Sequence, residues 1–407
     1  MFSALIVSLT LVGFGHAAQF RVTQTSLSSR RFNPTGVSWG DVSVFAGGSS
    51  TDHVDIFVNG SYVNTTNLYD GGDTLAAAAY PGVVAFAVRA NLQFFDAVSQ
   101  TLWPRNASDR LGAHPQNAVG AESASLIAFT LASSGTVELV NTAQRTVVLG
   151  TQLDTGRAGV ASARVRDSIG VEYFVFMSGS STSSGLVSSD ASVLQVTAPG
   201  AFVSPQSQMA VARRFAVCAT TSANKIVCLG GEDGSGAKLN DGESCTISTA
   251  GVLSCTALAV PLAVKPESTP IVALGPFIAT RMRNSQFKYG IAVSDAALAD
   301  LVVPATFDSI SYWNDFGATS NGRFAYFAGG VTGVGVSTDV VTVIECLEPC
   351  AEPLVGSVST TTAQTGGTIA ATSGTTATTF RKGETATGAS LQLPLLLAAC
   401  LCVVHLI

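Results

Sequence analysis

Charge is scarce in this chain of 407 residues: Asp, Glu, Lys and Arg together make up 12%, about half the usual ~25%. Cations are the scarcer sign, 21 Lys and Arg against 27 Asp and Glu, for a formal net charge of −6. That balance excludes a basic nucleic-acid binder, whose affinity comes from neutralising phosphates, and argues against electrostatic docking on anionic lipid. Histidine is rarer still, at four residues. With no Cys-x-x-Cys and no paired His, a zinc site has no ligand set. No long amphipathic helical pattern runs between Gln19 and Cys350. The glycine-rich runs there follow strand-like segments and open no helix, so a phosphate-cradling loop has no support. Glycine itself is plentiful, at 40 residues, in a composition that is 47% hydrophobic. These values predict a β-rich, turn-rich globular body, as two or three domains or one large repeat fold.

Both ends read as processing signals. Residues 2–15 are an apolar run followed by His16-Ala17-Ala18. The run is shorter than the ~20 residues needed to cross hydrocarbon. Although its n-region carries only the α-amino charge, it reads as a secretory signal peptide over 1–18, cleaved to leave Gln19 first. Residues 391–407 are again mostly apolar, preceded by the polar spacer FRKGETATGAS and the small residues Ala377-Thr378-Thr379. Small triplet, spacer and terminal apolar run form the pattern of a glycosylphosphatidylinositol attachment signal. Ala377 is the expected attachment residue, with Ser373 and Gly374 next, and 380–407 the removed signal. A single-pass C-terminal anchor is the alternative, but Gln392, Pro394 and His405 make a poor span. Between 351 and 379 lies a Ser/Thr-rich stalk with 13 Ser or Thr among residues 357–379, which cannot bury enough surface to fold. Asn59-Gly-Ser, Asn64-Thr-Thr and Asn106-Ala-Ser are N-glycosylation acceptors.

The body between these ends repeats. Short apolar runs end in glycines or their relics: Val42–Gly48, Tyr173–Gly179, Ile226–Gly231 and Phe324–Gly330, with Val83–Val88 and Ser125–Leu131 holding the same place without glycine. Run ends near 47, 88, 131, 179, 230 and 329 are spaced 41, 43, 48, 51 and 99. The last gap is two units, so a degenerate repeat is expected between 257 and 312, making seven units of roughly 47 residues. Arg30-Arg31-Phe32 and Arg213-Arg214-Phe215 each begin 17 residues before the first glycine of a pair, Gly47 and Gly230. At an offset of 45, Phe95-Asp96 through Trp103 lines up with Val140-Asn141 through Val148.

The pairs Gly47-Gly48, Gly230-Gly231 and Gly329-Gly330, with the aromatic-Asp turn at Phe95-Asp96 and Trp103 beyond it, resemble the kelch repeat, including the central domain of the galactose oxidases. That resemblance implies an all-β fold over 19–350: a seven-bladed kelch-like β-propeller, six to eight blades being the range, with four antiparallel strands per blade. Glycines suit strands that crowd near a propeller axis. The other fold considered is a pair of β-sandwich domains, which a constant period disfavours. Gln19–Gln24 alternates as a strand and is expected to pair with the blade built from 310–346, fastening the ring.

Removal of the tail takes Cys400 and Cys402 and leaves six cysteines. Cys218 and Cys228 flank one turn, Cys245 and Cys255 repeat the ten-residue spacing, and Cys346 and Cys350 close a Pro-containing turn. Three local disulfides in an oxidising compartment follow. Chemistry is thinly represented. His53 lies beside Asp52 and Asp55 in an alternating strand pattern, and with His114 is all that remains after processing. Copper-radical chemistry would need more histidines, and the Ser-x-Asp-x-Gly-x-Thr-Trp motif of sialidases is absent. The acidic loop 231–243 lacks EF-hand spacing and reads as a solvated turn. No cofactor is expected. The predicted role is a monomeric cell-surface binding or adhesion module for an extracellular protein or glycan, acting through loops on one rim. The alternatives are an extracellular glycosidase-like enzyme and a structural coat protein. The rim loops are expected where length varies: four steps from Gly48 to Asp52, ten from Ser180 to Asp190, ten from Gly231 to Asp241 and nine from Gly330 to Asp339.

Overall fold

A computed structural model describes residues 7–348 except 14–15, 49–50, 71–73, 107, 122, 132–133, 154–155, 182, 198–201, 223–224, 259–270, 276, 284–288, 296–300, 308–316 and 331–335. Its regular elements, among the described residues, are all strands. β1 (Val7–Gly13) pairs with β2 (His16–Arg31). Next come β3 (Thr35–Trp39), β4 (Val42–Ala46), β5 (His53–Val58) and β6 (Ser61–Asn67), an antiparallel sheet in chain order. The same plan repeats in β7 (Thr74–Tyr80), β8 (Val83–Val88), β9 (Asn91–Asp96) and β10 (Thr101–Leu102). It repeats again in β11 (Pro115–Gly120), β12 (Leu126–Leu131), β13 (Thr136–Asn141) and β14 (Thr146–Gln152). β15 (Arg157–Ala158) then precedes β16 (Ala161–Arg166) and β17 (Glu172–Met177), and β18 (Ser180–Ser181) pairs back with β15 before β19 (Asp190–Gln195) and β20 (Phe202–Gln208). β21 (Val217–Ser222), β22 (Lys225–Leu229), β23 (Gly242–Ile247) and β24 (Leu253–Ala257) follow, touching β20 through the single parallel pair Gln208–Ser254. β25 (Ile271–Leu274), β26 (Phe277–Arg283), β27 (Tyr289–Asp295) and β28 (Leu301–Phe307) are the degenerate unit expected between 257 and 312. Finally β29 (Gly317–Ser320), β30 (Phe324–Ala328) and β31 (Thr338–Glu348) form a sheet with β2.

The first strands meet in a circle. β3 contacts β7, and the contacts continue through β11, β16, β21, β25 and β29 back to β3. Sheets radiating from a closed ring of first strands make a β-propeller, lying within the compact unit Met1–Thr360. The N-terminal strand supplies the fastening: Phe20 pairs with Cys346, Val22 with Ile344 and Gln24 with Thr342. The closing strand is longer than the expected 19–24, and β1 adds a fifth strand beyond it.

Burial explains which part of the repeat the sequence displays. A second strand is sandwiched between neighbouring sheets, so β8, β12 and β17 are buried at every position. These are the apolar runs that recur along the chain. First strands show one side to the channel and alternate, as Ala161–Arg166 does. Fourth strands lie outermost, and most positions of β6 are exposed.

The paired glycines have a reason different from the expected crowding at the axis. Gly47 and Gly48 both take left-handed backbone (φ 64° and 86°), as do Gly230 and Gly231 (61° and 93°) and Gly329 and Gly330 (70° and 104°). They end the second strand, where the connection entering the blade crosses them. A Cβ on Gly48 would lie 2.3 Å from the Phe32 carbonyl oxygen, and one on Gly231 2.6 Å from that of Arg214. Only glycine tolerates both demands at low cost. Ser178 (φ 60°) fills the first position of the fourth such pair. Crowding at the axis falls instead on Gly120, whose Cβ would sit 1.8 Å from the Ala79 carbonyl oxygen.

Candidate functional site

Since strand direction alternates outward from the axis, connections into each first strand share a face with those between second and third strands. That face is built on buried arginines. Arg31, Arg157 and Arg213 are essentially unexposed, and each precedes by two residues a left-handed position: Asn33 (φ 53°), Gly159 (67°) and Phe215 (58°). Each guanidinium spans the end of a second strand and the start of a third. Arg31 donates to the carbonyl oxygens of Gly47 (3.3 Å) and His53 (2.8 Å) and to the Asp55 carboxylate. Arg157 donates to the Ser178 carbonyl (2.9 Å), the Asp190 carbonyl and Ser192 Oγ (2.6 Å). Arg213 donates to the Gly230 carbonyl (2.7 Å), Asp241 (2.9 Å) and Glu243 (2.8 Å). Burial draws the Arg31 guanidinium down to about 10, still cationic at neutral pH. Where the arginine is missing, the same third-strand position takes a backbone N–H. Tyr69 donates to Gln93 (2.7 Å), and Gly112 donates to Glu138 (2.9 Å).

These clamps hold two neighbouring loops of one design. In the loop before β19, Ser188 donates to the Gly179 carbonyl (2.8 Å), and Ser180 bridges Val187. In the loop before β23, Leu239 donates to the Gly231 carbonyl (2.9 Å), and Glu232 bridges Lys238. The Gly179 N–H donates to the Arg213 carbonyl (2.8 Å), and the Phe215 N–H to the Gly159 carbonyl (2.9 Å), tying the two blades together. Phe215 packs on Gly159 with the Arg214 guanidinium 5.4 Å from its ring centre. Phe215 is nevertheless 47% exposed and Leu186 72%. Two apolar side chains therefore stand in water on a rigid frame.

The acidic loop 231–243 satisfies itself. Glu232 pairs with Arg214 (3.1 Å) and Lys238, and the Lys238 hydrogen bond is the main cause of its lowered pKa. The Ser235 hydroxyl, donating to Asp233, lowers that carboxyl as well. Both shifts favour the charged form, opposite to what a glycosidase acid requires. Burial raises Tyr173 and Tyr326 above the ordinary phenol range.

At the opposite face the channel opens into a cavity of about 270 Å³, lined by first-strand residues including Ser38, Trp39, Gly120, Arg164, Thr220 and Thr319. Arg164 is its one charged group among the described residues. No described lining residue is a carboxylate, whereas glycoside hydrolysis needs two across a pocket, ~5–10 Å apart. His53 opens β5, as its alternation suggests, and its Nδ1 lies 3.0 Å from Ser28 Oγ. Its Nε2 is 4.0 Å from Asp52, too far for a hydrogen bond that would orient a catalytic base.

The other expected residues fall as follows. Asp96 caps the turn after β9 by accepting from the Val98 (2.8 Å) and Ser99 (2.9 Å) amides, and Asn141 accepts from Gln144 (2.9 Å) at the matching turn after β13. Trp103 stacks 5.9 Å from Phe94 with Arg145 over both rings. Cys218–Cys228 and Cys245–Cys255 are disulfides, each between directly opposed strand residues. They also account for the Glu243, Cys245 and Cys255 cluster, whose sulfurs are bonded to each other. Cys346 is disulfide-bonded too, while Cys350 and Ala377 lie outside the described residues. Asn59, Asn64 and Asn106 are all exposed. Sequence reasoning missed Arg157, Leu186 and Phe215 as parts of one site. Arg213-Arg214-Phe215 was visible as a repeated string, but nothing in the string says that one residue is buried and the third exposed.

No protein-family model matches the chain, and no curated protein matches it. Solved structures do. The crystal structure of RRP9 WD40 repeats aligns at TM-score 0.51 and 10% identity, over 85% of this chain and all (100%) of that one. The structure of U3-55K aligns at 0.50 and 11%, covering 83% and 98%. A chain of Kuenenia stuttgartiensis hydrazine synthase aligns at 0.52 and 12%, covering 75% and 94%. Likeness at such identities carries the fold alone, and that fold is a β-propeller.

Proposed function

We propose that this chain is a secreted, seven-bladed, kelch-like propeller held at the outer cell surface by a glycosylphosphatidylinositol anchor. It binds an extracellular protein or glycan through the loops before β19 and β23. One observation carries the binding role: two adjacent loops of the same plan are fixed by buried arginines, with Leu186 exposed in the loop before β19 and Phe215 exposed beside them in the connection that enters β21. Loops on a rigid scaffold are where recognition residues concentrate. The circle of first strands supports the blade count, and the glycine pairs and the Asp96 turn support the kelch kinship. Two disulfides favour an oxidising compartment, and the three exposed acceptor asparagines suit glycosylation. Cleavage after Ala18 removes β1 and leaves β2, β31, β30 and β29, the four-stranded plan of the other blades. Phosphatidylinositol-specific phospholipase C should release the protein from intact cells. Retention until detergent is added would replace the lipid anchor with a spanning segment. Shortening 181–189 and 232–240 to the four-step length should abolish binding of the purified protein to cells or matrix. Undiminished binding would move the site to the opposite face.

A further inference from the structure

In a chain with only 21 Lys and Arg, three arginines meet at the blade of β7 to β10. Arg89 lies in the turn from β8 to β9, and Arg105 and Arg110 lie in the connection from β10 to β11. Both kinds of connection open on the face that carries the clamped loops. Backbone pairing brings two of the three together. Segment 109–111 runs beside 90–92, with Arg110 bridging Asn91 and the Leu111 N–H donating to the Ala90 carbonyl (2.8 Å). Asp70 ties in the third, accepting from the Asn91 side-chain amide (3.1 Å) and from Arg105 (2.8 Å). Tyr69, next to Asp70, is 52% exposed, although its own N–H is held by Gln93.

The charges at this patch do not cancel. Asp70 balances Arg105, while Arg89 and Arg110 are exposed and have no side-chain partner among the described residues. Of the other acids nearby, Asp109 is buried and paired with Arg145, and Asp52 faces His53 at 4.0 Å, while Asp73 lies outside the described residues. Arg89 also holds left-handed backbone (φ 57°), a conformation that costs an L side chain and suits glycine or asparagine. Residues kept in that region cluster where a side chain engages a ligand. We infer that this patch binds an acidic polysaccharide, one bearing sulfate or carboxylate groups along its chain. A guanidinium fork meets such groups through two parallel hydrogen bonds. The exposed Tyr69 ring offers a flat apolar face to sugar C–H bonds, which a run of Asp and Glu would leave unused. The patch stands on a different blade from the loops before β19 and β23, so the inference does not rest on their role.

The test is a heparin titration of the purified protein, natively glycosylated because the acceptor Asn106 adjoins Arg105. Salt is raised from about 20 to 500 mM NaCl, with neutral dextran and poly-glutamate as competitors. Heparin should bind, more weakly as salt screens the charges, and dextran should not compete. Arg89→Ser combined with Arg110→Ser should weaken heparin binding at least tenfold, with the melting temperature within a few degrees of wild type. Tyr69→Ser should weaken it severalfold and leave its salt dependence unchanged. Arg323→Ser removes a cation that is 65% exposed in the turn between β29 and β30, on the opposite face, and should bind as wild type. No heparin binding at the lowest salt, full binding by the double variant, or an equal loss in Arg323→Ser would each overturn the inference. Displacement of heparin by a lower concentration of poly-glutamate would overturn it in favour of an acidic protein partner.

Discussion

Arg213 sits fully buried between a carbonyl that ends one strand and two carboxylates that begin another. Removing the cation would leave the equally buried Glu243 without its main counter-charge. Breaking a buried pair from one side costs about 3–5 kcal/mol. Arg213→Ala should therefore lower unfolding free energy by about that much in urea titrations. Arg323→Ala should cost under about 1 kcal/mol, since Arg323 is 65% exposed and Glu345 keeps Arg21. A similar loss from both would mean that the guanidinium clamps contribute little. Glu232 supplies a pH dependence of known sign. Its pKa is lowered in the fold, chiefly by Lys238. Its contribution is complete above the ordinary carboxylate value near 4.5 and fades as pH falls through the depressed value. The protection factor of the Leu239 amide, its exchange rate divided into the intrinsic rate at each pH, should thus fall on acidification, and Lys238→Met should flatten that fall.

Among the elements, the β21–β24 blade is the one stapled twice, between β21 and β22 and between β23 and β24. Peptide mapping without reduction should recover each pair within its own hairpin, and a Cys228–Cys245 link would show the strands to be misplaced. Each ten-residue loop closure is worth about 2–3 kcal/mol, so Cys255→Ser combined with Cys245→Ser should lower stability by about that amount. The hairpins were legible because directly opposed residues around a turn fix a spacing. The second strands were legible because burial on both faces forces unbroken apolar runs. The turn after β9 was legible through its offset match with the turn after β13, since Asp96 and Asn141 accept equivalent amides. β25 to β28 were legible only as a gap of two periods, because β26, the second strand of that unit, runs Phe277–Arg283 and ends in no glycine pair. The clamps were half legible. Arg31 and Arg213 lie in matching strings but at different positions of them, second and first, and Arg157 stands in a different string and shares only the geometry.

At the scale of the whole molecule, the propeller separates its two faces by chemistry. One carries the arginine-clamped loops with Leu186 and Phe215 exposed; the other opens on a hydroxyl-lined channel holding Arg164 and, among described residues, no carboxylate. On the proposed function, recognition falls to the first face. Interface energy concentrates in a few apolar or aromatic anchors, and truncating one typically costs about 2 kcal/mol or more. The direct test is a binding titration of purified protein on cells or matrix, comparing wild type with Leu186→Asp/Phe215→Asp and with Ile169→Asp. Ile169 is 71% exposed in the turn between β16 and β17, on the opposite face. On that proposal the double variant melts like wild type and binds at least about tenfold more weakly, while Ile169→Asp binds normally. Full binding by the double variant with loss in Ile169→Asp would contradict it.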